Sequence, residues 1–270
     1  MKIYICADIE GTCGFTVPTE DNWTGGDKWY PYFAAQMSRE VAAAVRGAFA
    51  AGAEEVLVHD SHLTSRNIDP SVLPRGTKLM RGGPGDPYAM LAGAKENGSE
   101  AVMLTGFHAG VGSAGNPSSH TFNRRTEALS INGEPLSEFL SDAYTAAYLG
   151  LPVPFVSGDA KVCADAERHI PGVVTMPVET GFGGSTVSIH PEEAVEGIER
   201  GVQRILSGEW RACMAKLPET LEMEMRFNTH QQAFFNSFYP GIRQTDDKTL
   251  RYTAKDWWDM LIMVHFVLDK

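Results

Sequence analysis

The sequence contains no apolar run of about 18 residues, the length that a membrane-spanning helix needs. Its first residues lead directly into a strand-like stretch, without the apolar core and small-residue cleavage site of a signal peptide. It also lacks a cluster of Lys and Arg that resembles a phosphate-binding stripe, and its formal net charge is −11. We therefore expect neither a membrane nor a nucleic acid among its partners.

Cysteine is scarce and scattered. The chain has four cysteines, with no CxxC pair, at Cys6, Cys13, Cys163 and Cys213. This spacing is typical of reduced thiols, and it predicts a cytoplasmic protein rather than a secreted one that is held together by disulfides. Cys6 lies close to the candidate site described below, and we interpret it as a small buried apolar residue.

Several short catalytic motifs are missing. The chain has no GxSxG elbow, which argues against an α/β-hydrolase, and no HExxH, which argues against a thermolysin-like enzyme. The glycine-rich stretch from Gly181 to Ser185 is not GxGxxG and does not link a strand to a helix, which argues against nucleotide binding. Residues that carry chemistry must therefore be dispersed along the chain.

Strand-like and helix-like stretches alternate along most of the 270 residues. This alternation predicts an α/β fold with three α/β/α layers and a mainly parallel sheet. A long Gly-, Thr- and Pro-rich loop runs from the first strand to about Tyr30, and loops of that length are often functional. Helices are predicted over residues 32–51, 87–97, 136–149 and 191–207.

The alternation changes beyond about Leu217. Residues 221–227 alternate apolar and acidic side chains, which predicts an antiparallel or edge strand, and residues 255–268 form an apolar, Trp-rich helix. We therefore expect an α/β catalytic domain over residues 1–216 and a smaller α+β subdomain over residues 217–270. Four aromatic side chains of this region are predicted to be core or interface residues, namely Trp257, Trp258, Phe234 and Phe235.

Candidate metal ligands follow the apolar stretches that resemble strands. Asp8 and Glu10 come after the first of them, His62 after the second and His108 after a third, whereas Glu138 lies past a further strand and a turn. Ligands bind at the carboxyl ends of the strands in an open α/β sheet. Three carboxylates and two imidazoles suit a pair of divalent ions such as zinc. The pattern therefore predicts metal-assisted hydrolysis.

The two histidines of His59-Asp60-Ser61-His62 are rival ligands. His62 is one candidate, and Asp60 or Ser61 would then orient the turn around it. His59 ends the predicted strand, where a histidine is commonly a hydrogen-bonded core residue. The residues themselves leave both assignments open.

The assignment of Glu138 as a ligand and the role of His120 each have an alternative interpretation. Glu134 rivals Glu138, because each is also interpretable as a carboxylate that the dipole of the following helix stabilises. Ser119 and His120 lie in a loop rich in Gly and Ser. A histidine in such a loop can act as a base, an acid or a nucleophile, because its pKa is near neutrality. An exposed polar residue is the other interpretation of His120.

Five short motifs stand in a fixed order along the chain. They are Asp8-x-Glu10-Gly11, Asp60-Ser61-His62, Gly106-Phe107-His108, Ser119-His120, and Ile131-Asn132 followed by Glu138. Each motif is short, but their order and spacing together are specific. In this order the sequence resembles the DppA-type D-aminopeptidases, which are dinuclear zinc peptidases, and the resemblance covers most of the chain.

The resemblance implies a set of functional residues. Two zinc ions per chain would be held by Asp8, Glu10, His62, His108 and Glu138. His120 would be the nucleophile, although a proton shuttle would need the same loop imidazole. Asp60, Ser61 and Ser119 would orient ligands or contact the substrate. A homo-oligomer, specifically a decameric ring around a channel, is also implied.

The predicted function is thus a dinuclear zinc aminopeptidase in the cytoplasm that releases N-terminal residues from short peptides. By resemblance, these residues are D-amino acids such as D-Ala. A metal-dependent amidase or an L-specific aminopeptidase would use the same ligands. A non-catalytic metal-binding ring protein is a third hypothesis, but it leaves His120 and its loop without an explanation.

Overall fold

A computed structural model describes residues 1–17, 19 and 27–268 of the chain. Residues 18 and 20–26 of the long loop predicted before Tyr30 lie outside the described residues. Within them, the strands are β1 (Lys2–Ala7), β2 (Glu55–Asp60), β3 (Thr77–Met80), β4 (Ala101–Phe107), β5 (Thr126–Ile131), β6 (Glu134–Pro135), β7 (Phe155–Asp159), β8 (Val174–Phe182), β9 (Ser185–Ser188), β10 (Leu221–Phe227), β11 (Arg243–Gln244) and β12 (Thr249–Ala254). The α-helices in the same residues are α1 (Tyr30–Ala50), α2 (Glu138–Leu149), α3 (Ala160–His169), α4 (Pro191–Leu206), α5 (His230–Asn236) and α6 (Trp257–Val267).

A seven-stranded sheet runs in the order β3-β2-β1-β4-β7-β8-β9. All neighbours in it are parallel except β8 and β9, which are antiparallel. The prediction of an α/β fold with a mainly parallel sheet is therefore confirmed. From β1 the chain builds outward to β2 and β3, and then crosses to β4 on the other side. This reversal next to β1 is a topological switch point, where α/β sheets bind their ligands.

The central strands are buried on both faces, as continuous apolar runs in parallel sheets commonly are. Ile3 and Ile5 of β1 pack on one face in a cluster that includes Met37 and Val41 of α1. Helix α4 lies beside α1 on that face. Tyr4 of β1 belongs to a cluster on the opposite face, which also contains residues of α2, α6 and a second sheet.

The second sheet is antiparallel and has the order β11-β12-β10-β5-β6. Met223 and Met225 of β10 are buried and alternate with half-buried polar residues, in agreement with the predicted antiparallel pattern. Strand β10 lies between β12 and β5 and is therefore not an edge strand. The sheet combines strands from both sides of residue 217, and the division into residues 1–216 and 217–270 stays a prediction.

One predicted helix is wrong. Residues 87–97 contain only a short 3-10 turn at Ala89–Leu91, followed by further turns. Ala89 and Gly93 have φ angles of 48° and 79°, which an α-helix does not allow. The apolar residues there imitate a helical period because Leu91 and Ala94 cover the core of the sheet.

One strand boundary differs from the prediction, and the aromatic side chains predicted to be core or interface residues differ in burial. Strand β8 is longer than predicted, and the glycine-rich stretch after it turns the chain into β9. Trp257 is buried, but Phe234 and Phe235 of the unpredicted helix α5 are 60% and 68% exposed, so neither belongs to the core of the chain. None of the described helices is both long enough and apolar enough to cross a bilayer.

Candidate metal centre

The switch point brings the ends of three strands together. Asp8 follows β1, His62 follows β2 by one short turn, and His108 follows β4. Strand β1 pairs with both of the others, so these ends are neighbours. Glu10 lies in a turn two residues after Asp8. Glu138 enters from the side as the first residue of α2, which Ser137 caps by accepting a hydrogen bond from Leu140 N at 3.1 Å.

The carboxylates and imidazoles face one another at short distances. His62 Nδ1 lies 3.0 Å from Asp8 Oδ1 and 2.9 Å from Glu10 Oε2. His108 Nε2 lies 3.6 Å from Asp8 Oδ2 and 3.5 Å from Glu138 Oε2. All five side chains are at least nine-tenths buried. The five residues that were predicted as metal ligands from the sequence therefore lie together in the structure.

Among the described residues, three groups of ligand atoms could hold a metal ion, and the atoms of each group lie within 4.8 Å of one another. They are Asp8, Glu10 and His62; Asp8, His108 and Glu138; and Glu10, His108 and His120. Asp8 Oδ2 and His108 Nε2 are buried without a hydrogen-bond partner, although buried polar atoms nearly always have one. Oxygen and nitrogen donors of this kind fit divalent zinc. The residues present therefore fit a metal centre.

The neighbouring carboxylates repel one another, which raises the free energy of the folded protein when no cation is bound. Burial and the Glu10 carboxylate raise the pKa of Asp8 to about 7. Burial opposes protonation of the imidazoles, but Glu10 and Asp8 outweigh it and raise the pKa of His62 well above its ordinary range. Glu138 likewise raises the pKa of His108 to about 10. Protons therefore compensate the carboxylates when no metal does, and zinc binding would release them.

His120 stands at the edge of the cluster. Its Nε2 lies 3.7 Å from Glu10 Oε1 and 3.6 Å from Glu138 Oε1, and its ring stacks on His108 with centroids 4.5 Å apart. Nδ1 donates to the Ser118 carbonyl oxygen at 2.9 Å, which directs the Nε2 lone pair toward the carboxylates. Burial and His108 lower the pKa of His120, so the ring is neutral near pH 7.

A cavity of about 660 Å³ opens onto the cluster. His62, Glu138 and His120 line it together with Arg124 of the following loop and Val264 of α6. His120 is 12% exposed, more than the candidate ligands beneath it. A small peptide can therefore reach His120 and the ligand atoms from the same space.

The rival residues lie elsewhere. His59 points away from the cluster, and its Nδ1 lies 2.9 Å from the Tyr4 hydroxyl. Glu134 is in β6, where its Oε1 is 2.8 Å from Arg168 and 3.2 Å from His169. Neither residue takes part in a group of potential metal ligands among the described residues.

The predicted orienting residues act on backbone geometry. Asp60 accepts hydrogen bonds from Asn67 N at 2.6 Å and Asn67 Nδ2 at 2.8 Å, and the same amide also donates to the His62 carbonyl. Ser61 donates to the Ala7 carbonyl at 2.7 Å, and Ser119 donates to the Asn116 carbonyl at 2.7 Å. These contacts fix the loops from which His62 and His120 project.

Two connecting residues were missed by the sequence analysis. Asn116 Nδ2 donates to the Glu10 carbonyl and to Glu179 Oε1, both at 2.9 Å, while its Oδ1 accepts from Ser118 N. Glu179 Oε2 accepts from Gly14 N at 3.0 Å. Asn116 thus ties the segment of Glu10 to the segment of His120. The Gly- and Ser-rich composition predicted a functional loop around Asn116, but no local sequence pattern pointed to Glu179.

Three glycines lie against the backbone next to His108. We call these residues, Gly11, Gly106 and Gly158, the glycine clasp. A Cβ on Gly11 or Gly158 would lie 1.8 Å or 1.9 Å from the Phe107 carbonyl oxygen. A Cβ on Gly106, which has a φ of +71°, would lie 2.2 Å from the Asp8 carbonyl oxygen. Only glycine permits this approach.

The fold and the site define a metal-dependent hydrolase with its centre at the switch point of an α/β sheet. The chain belongs to the Peptidase_M55 family of D-aminopeptidases, whose sequence model matches residues 1–266. It is 28% identical over 274 aligned positions to a D-aminopeptidase of Bacillus subtilis (strain 168), covering 99% of this chain and 98% of that protein.

A solved structure agrees with this membership. The chain is similar to the Zn-dependent D-aminopeptidase DppA from Bacillus subtilis, described as a self-compartmentalizing protease. The TM-score is 0.88 at 25% identity, and the alignment covers 100% of this chain and 99% of the other. The family resemblance expected from the sequence motifs is therefore confirmed.

Proposed function

We propose that this chain is a zinc aminopeptidase that releases the N-terminal residue, a D-amino acid such as D-Ala, from short peptides. The observation that carries the proposal is the convergence of five buried oxygen and nitrogen donors beside His120, at the edge of a peptide-sized cavity. Membership of the D-aminopeptidase family supports the same reaction and the same metal.

We further propose that the chain holds two zinc ions through Asp8, Glu10, His62, His108 and Glu138. Asp8, Glu10 and His108 each belong to two of the three ligand groups, so the donors form one connected cluster. Bound zinc supplies a Lewis acid for the scissile carbonyl, an activated water and an anchor for the free amino end. Recognition of that amino end would restrict cleavage to the first residue of the peptide.

His120 is proposed to act on the scissile peptide bond as nucleophile or proton shuttle. Its Nδ1 is held by the Ser118 carbonyl, so Nε2 is the nitrogen that faces the reacting group. Its lowered pKa keeps Nε2 free of a proton near pH 7, as either role requires. Asn116 would hold this loop against the segment that contains Glu10.

The assembly and location belong to the same proposal. The relative described as self-compartmentalizing supports a homo-oligomer, for which we propose the decameric ring that the resemblance implies. A cytoplasmic location stays a prediction, and all four cysteines, which lie in the described part of the chain, are buried free thiols compatible with it.

Metal analysis and turnover test the proposal together. The purified protein is expected to carry about two zinc ions per chain and to cleave D-Ala p-nitroanilide in a chelator-sensitive way. Glu10→Ala is expected to lose zinc and turnover together, whereas His120→Ala keeps the metal and loses turnover. Full turnover in His120→Ala would refute the catalytic role of this residue.

The stereochemistry is tested by the matched L-Ala p-nitroanilide. Release from the L substrate alone would establish the alternative, an L-specific aminopeptidase or amidase on the same ligands. Bound zinc without turnover of either substrate would instead favour the non-catalytic ring protein.

A further inference from the structure

Asp159 connects helix α3 to the backbone that follows His108. It ends β7 and is the N-cap of α3, where its Oδ1 accepts a hydrogen bond from Val162 N at 2.8 Å. Its Oδ2 accepts a second hydrogen bond, at 2.6 Å, from Ala109 N, which lies 50 positions away in the sequence. The side chain is completely buried. One carboxylate therefore joins the start of a helix to the segment of a candidate metal ligand.

Ala109 in turn contacts the His108 imidazole. His108 Nδ1 lies 2.9 Å from the Ala109 carbonyl oxygen. Because a carbonyl oxygen only accepts, Nδ1 carries the hydrogen and donates it. The ring then directs Nε2 toward the carboxylates of Asp8 and Glu138, at 3.6 Å and 3.5 Å. A histidine that binds a metal ion commonly has its second ring nitrogen held in this way.

Capping of α3 does not by itself require a carboxylate. Ser137 caps α2 with a hydroxyl oxygen, 3.1 Å from Leu140 N. A single oxygen would also suffice at the start of α3, without the free energy that is needed to bury a charged group. The second oxygen of Asp159 acts outside the helix, at Ala109 N.

The strands beside Asp159 and His108 support this contact. Phe107, at the end of β4, pairs with Gly158 of β7, which belongs to the glycine clasp. Asp159 and His108 are the next residues of the two segments. The close approach of the backbones at Gly158 therefore places Asp159 Oδ2 within hydrogen-bonding distance of Ala109 N.

Resting on the proposed zinc centre, we propose that Asp159 is a positioning residue that holds His108 for metal binding through Ala109. The hydrogen bond to Oδ2 fixes the Ala109 backbone, and the Ala109 carbonyl fixes the tautomer and the direction of the His108 ring. Among the described residues, Asp159 belongs to none of the groups of potential metal ligands, so it acts through His108.

The effect is expected to be confined to one of the two ions. His108 belongs to two of the three ligand groups, but not to the group of Asp8, Glu10 and His62. A less ordered His108 therefore weakens the binding of one zinc ion and leaves three potential ligands for the other.

Asp159→Ser separates positioning from capping. The serine oxygen can accept from Val162 N, but it does not replace Oδ2 at Ala109 N. Zinc binding to the metal-free full-length chain is measured by competition with a chromophoric chelator. Wild type is expected to bind two ions. In the variant, one ion is expected to bind about 10- to 100-fold more weakly, and the affinity for the other to stay within about twofold of wild type.

A second substitution keeps the size of the side chain. Asp159→Asn caps α3 about as well as aspartate, but it turns an NH₂ group toward Ala109 N, where no hydrogen bond can form. The same weakening of one zinc ion is expected. This variant provides the test if Asp159→Ser does not fold, which thermal unfolding of the metal-free proteins will show.

Two variants control for charge and for stability. Asp256→Ser removes a carboxylate from the N-cap of α6, where it accepts from Asp259 N at 2.8 Å. Val162→Ala truncates a buried side chain of α3, which destabilises the fold and leaves the hydrogen bond to Ala109 in place. Both controls are expected to bind two zinc ions with the affinity of wild type.

The outcomes distinguish the positioning role from the zinc centre itself. Wild-type affinity for both ions in a folded variant of Asp159 would overturn the positioning role. An equal loss of both ions, or the same loss in Val162→Ala, would also overturn it, because a general loss of structure would then explain the result. A wild-type chain that binds no zinc would instead refute the proposed metal centre.

Discussion

Glu40 of α1 gives a prediction whose magnitude follows from the structure. Its side chain is 1% exposed, and Oε1 accepts hydrogen bonds from Gln36 Nε2 at 2.8 Å and Cys13 N at 3.0 Å. Oε2 is buried without a partner. Burial raises the pKa of this carboxyl from 4.5 to about 7, against the opposing effect of the two hydrogen bonds.

The raised pKa makes stability depend on pH in a defined direction. Folded protein holds the proton of Glu40 more tightly than unfolded protein does, so this stabilisation is full below pH 4.5 and is lost as the pH rises to about 7. Since one pKa unit corresponds to about 1.4 kcal/mol, the difference amounts to about 3 kcal/mol above neutrality.

Glu40→Gln removes the titration and keeps the shape. The amide oxygen can accept from the same two donors, and the amide nitrogen replaces the unpartnered Oε2. We expect the variant to match wild type within about 1 kcal/mol at pH 4 and to exceed its unfolding free energy by about 3 kcal/mol at pH 8. Other titrating groups, including the zinc ligands, are common to both proteins and cancel in the comparison.

Urea unfolding at fixed protein concentration between pH 4 and pH 9 measures this difference. Glu209→Gln, at an exposed carboxylate, is the control and is expected to change the unfolding free energy by less than about 0.5 kcal/mol throughout. A difference between Glu40→Gln and wild type that does not vary with pH, or that grows as the pH falls, would refute the reasoning.

Further predictions concern the site and its support. Gly158→Ala places a Cβ 1.9 Å from the Phe107 carbonyl oxygen and is expected to destabilise the fold by about 1–3 kcal/mol and weaken zinc binding, as thermal unfolding and zinc titration will show. Asn116→Ala removes the donor shared by Glu10 and Glu179; it is expected to cost about 1–3 kcal/mol of unfolding free energy and to lower kcat, whereas unchanged values would exclude a connecting role. Zinc at 100 times its Kd is expected to stabilise the metal-free protein by about 2.7 kcal/mol, and thermal unfolding of Glu10→Ala should show no comparable gain.

The location of the centre was predictable from strand ends. Asp8, His62 and His108 each follow an apolar run, and parallel strands with short connections bring such ends to one edge of a sheet. The alternation does not specify strand order, however. The placement of β1 between β2 and β4 is a property of the assembled sheet, and it is what brings these three residues together.

Long-range contacts and backbone angles escaped prediction for physical reasons. Asn116 and Glu179 lie 63 positions apart, and neither has a local pattern that announces the hydrogen bond between them. Leu91 and Ala94 carry a helix-like spacing, but the left-handed φ angle of Gly93 breaks the helix between them. Apolar spacing reports which residues are buried, and the path of the backbone between them is decided by tertiary packing.

The glycine clasp has a consequence for engineering the metal preference of this enzyme. His108 is positioned by backbone-to-backbone contact at Phe107, which does not depend on the identity of the surrounding side chains. Glu138, by contrast, projects from the first turn of a helix. If Glu138 and His108 are the ligands that we propose, a redesign toward softer or harder ions can vary Glu138 and leave His108 unchanged, provided that the three glycines are retained.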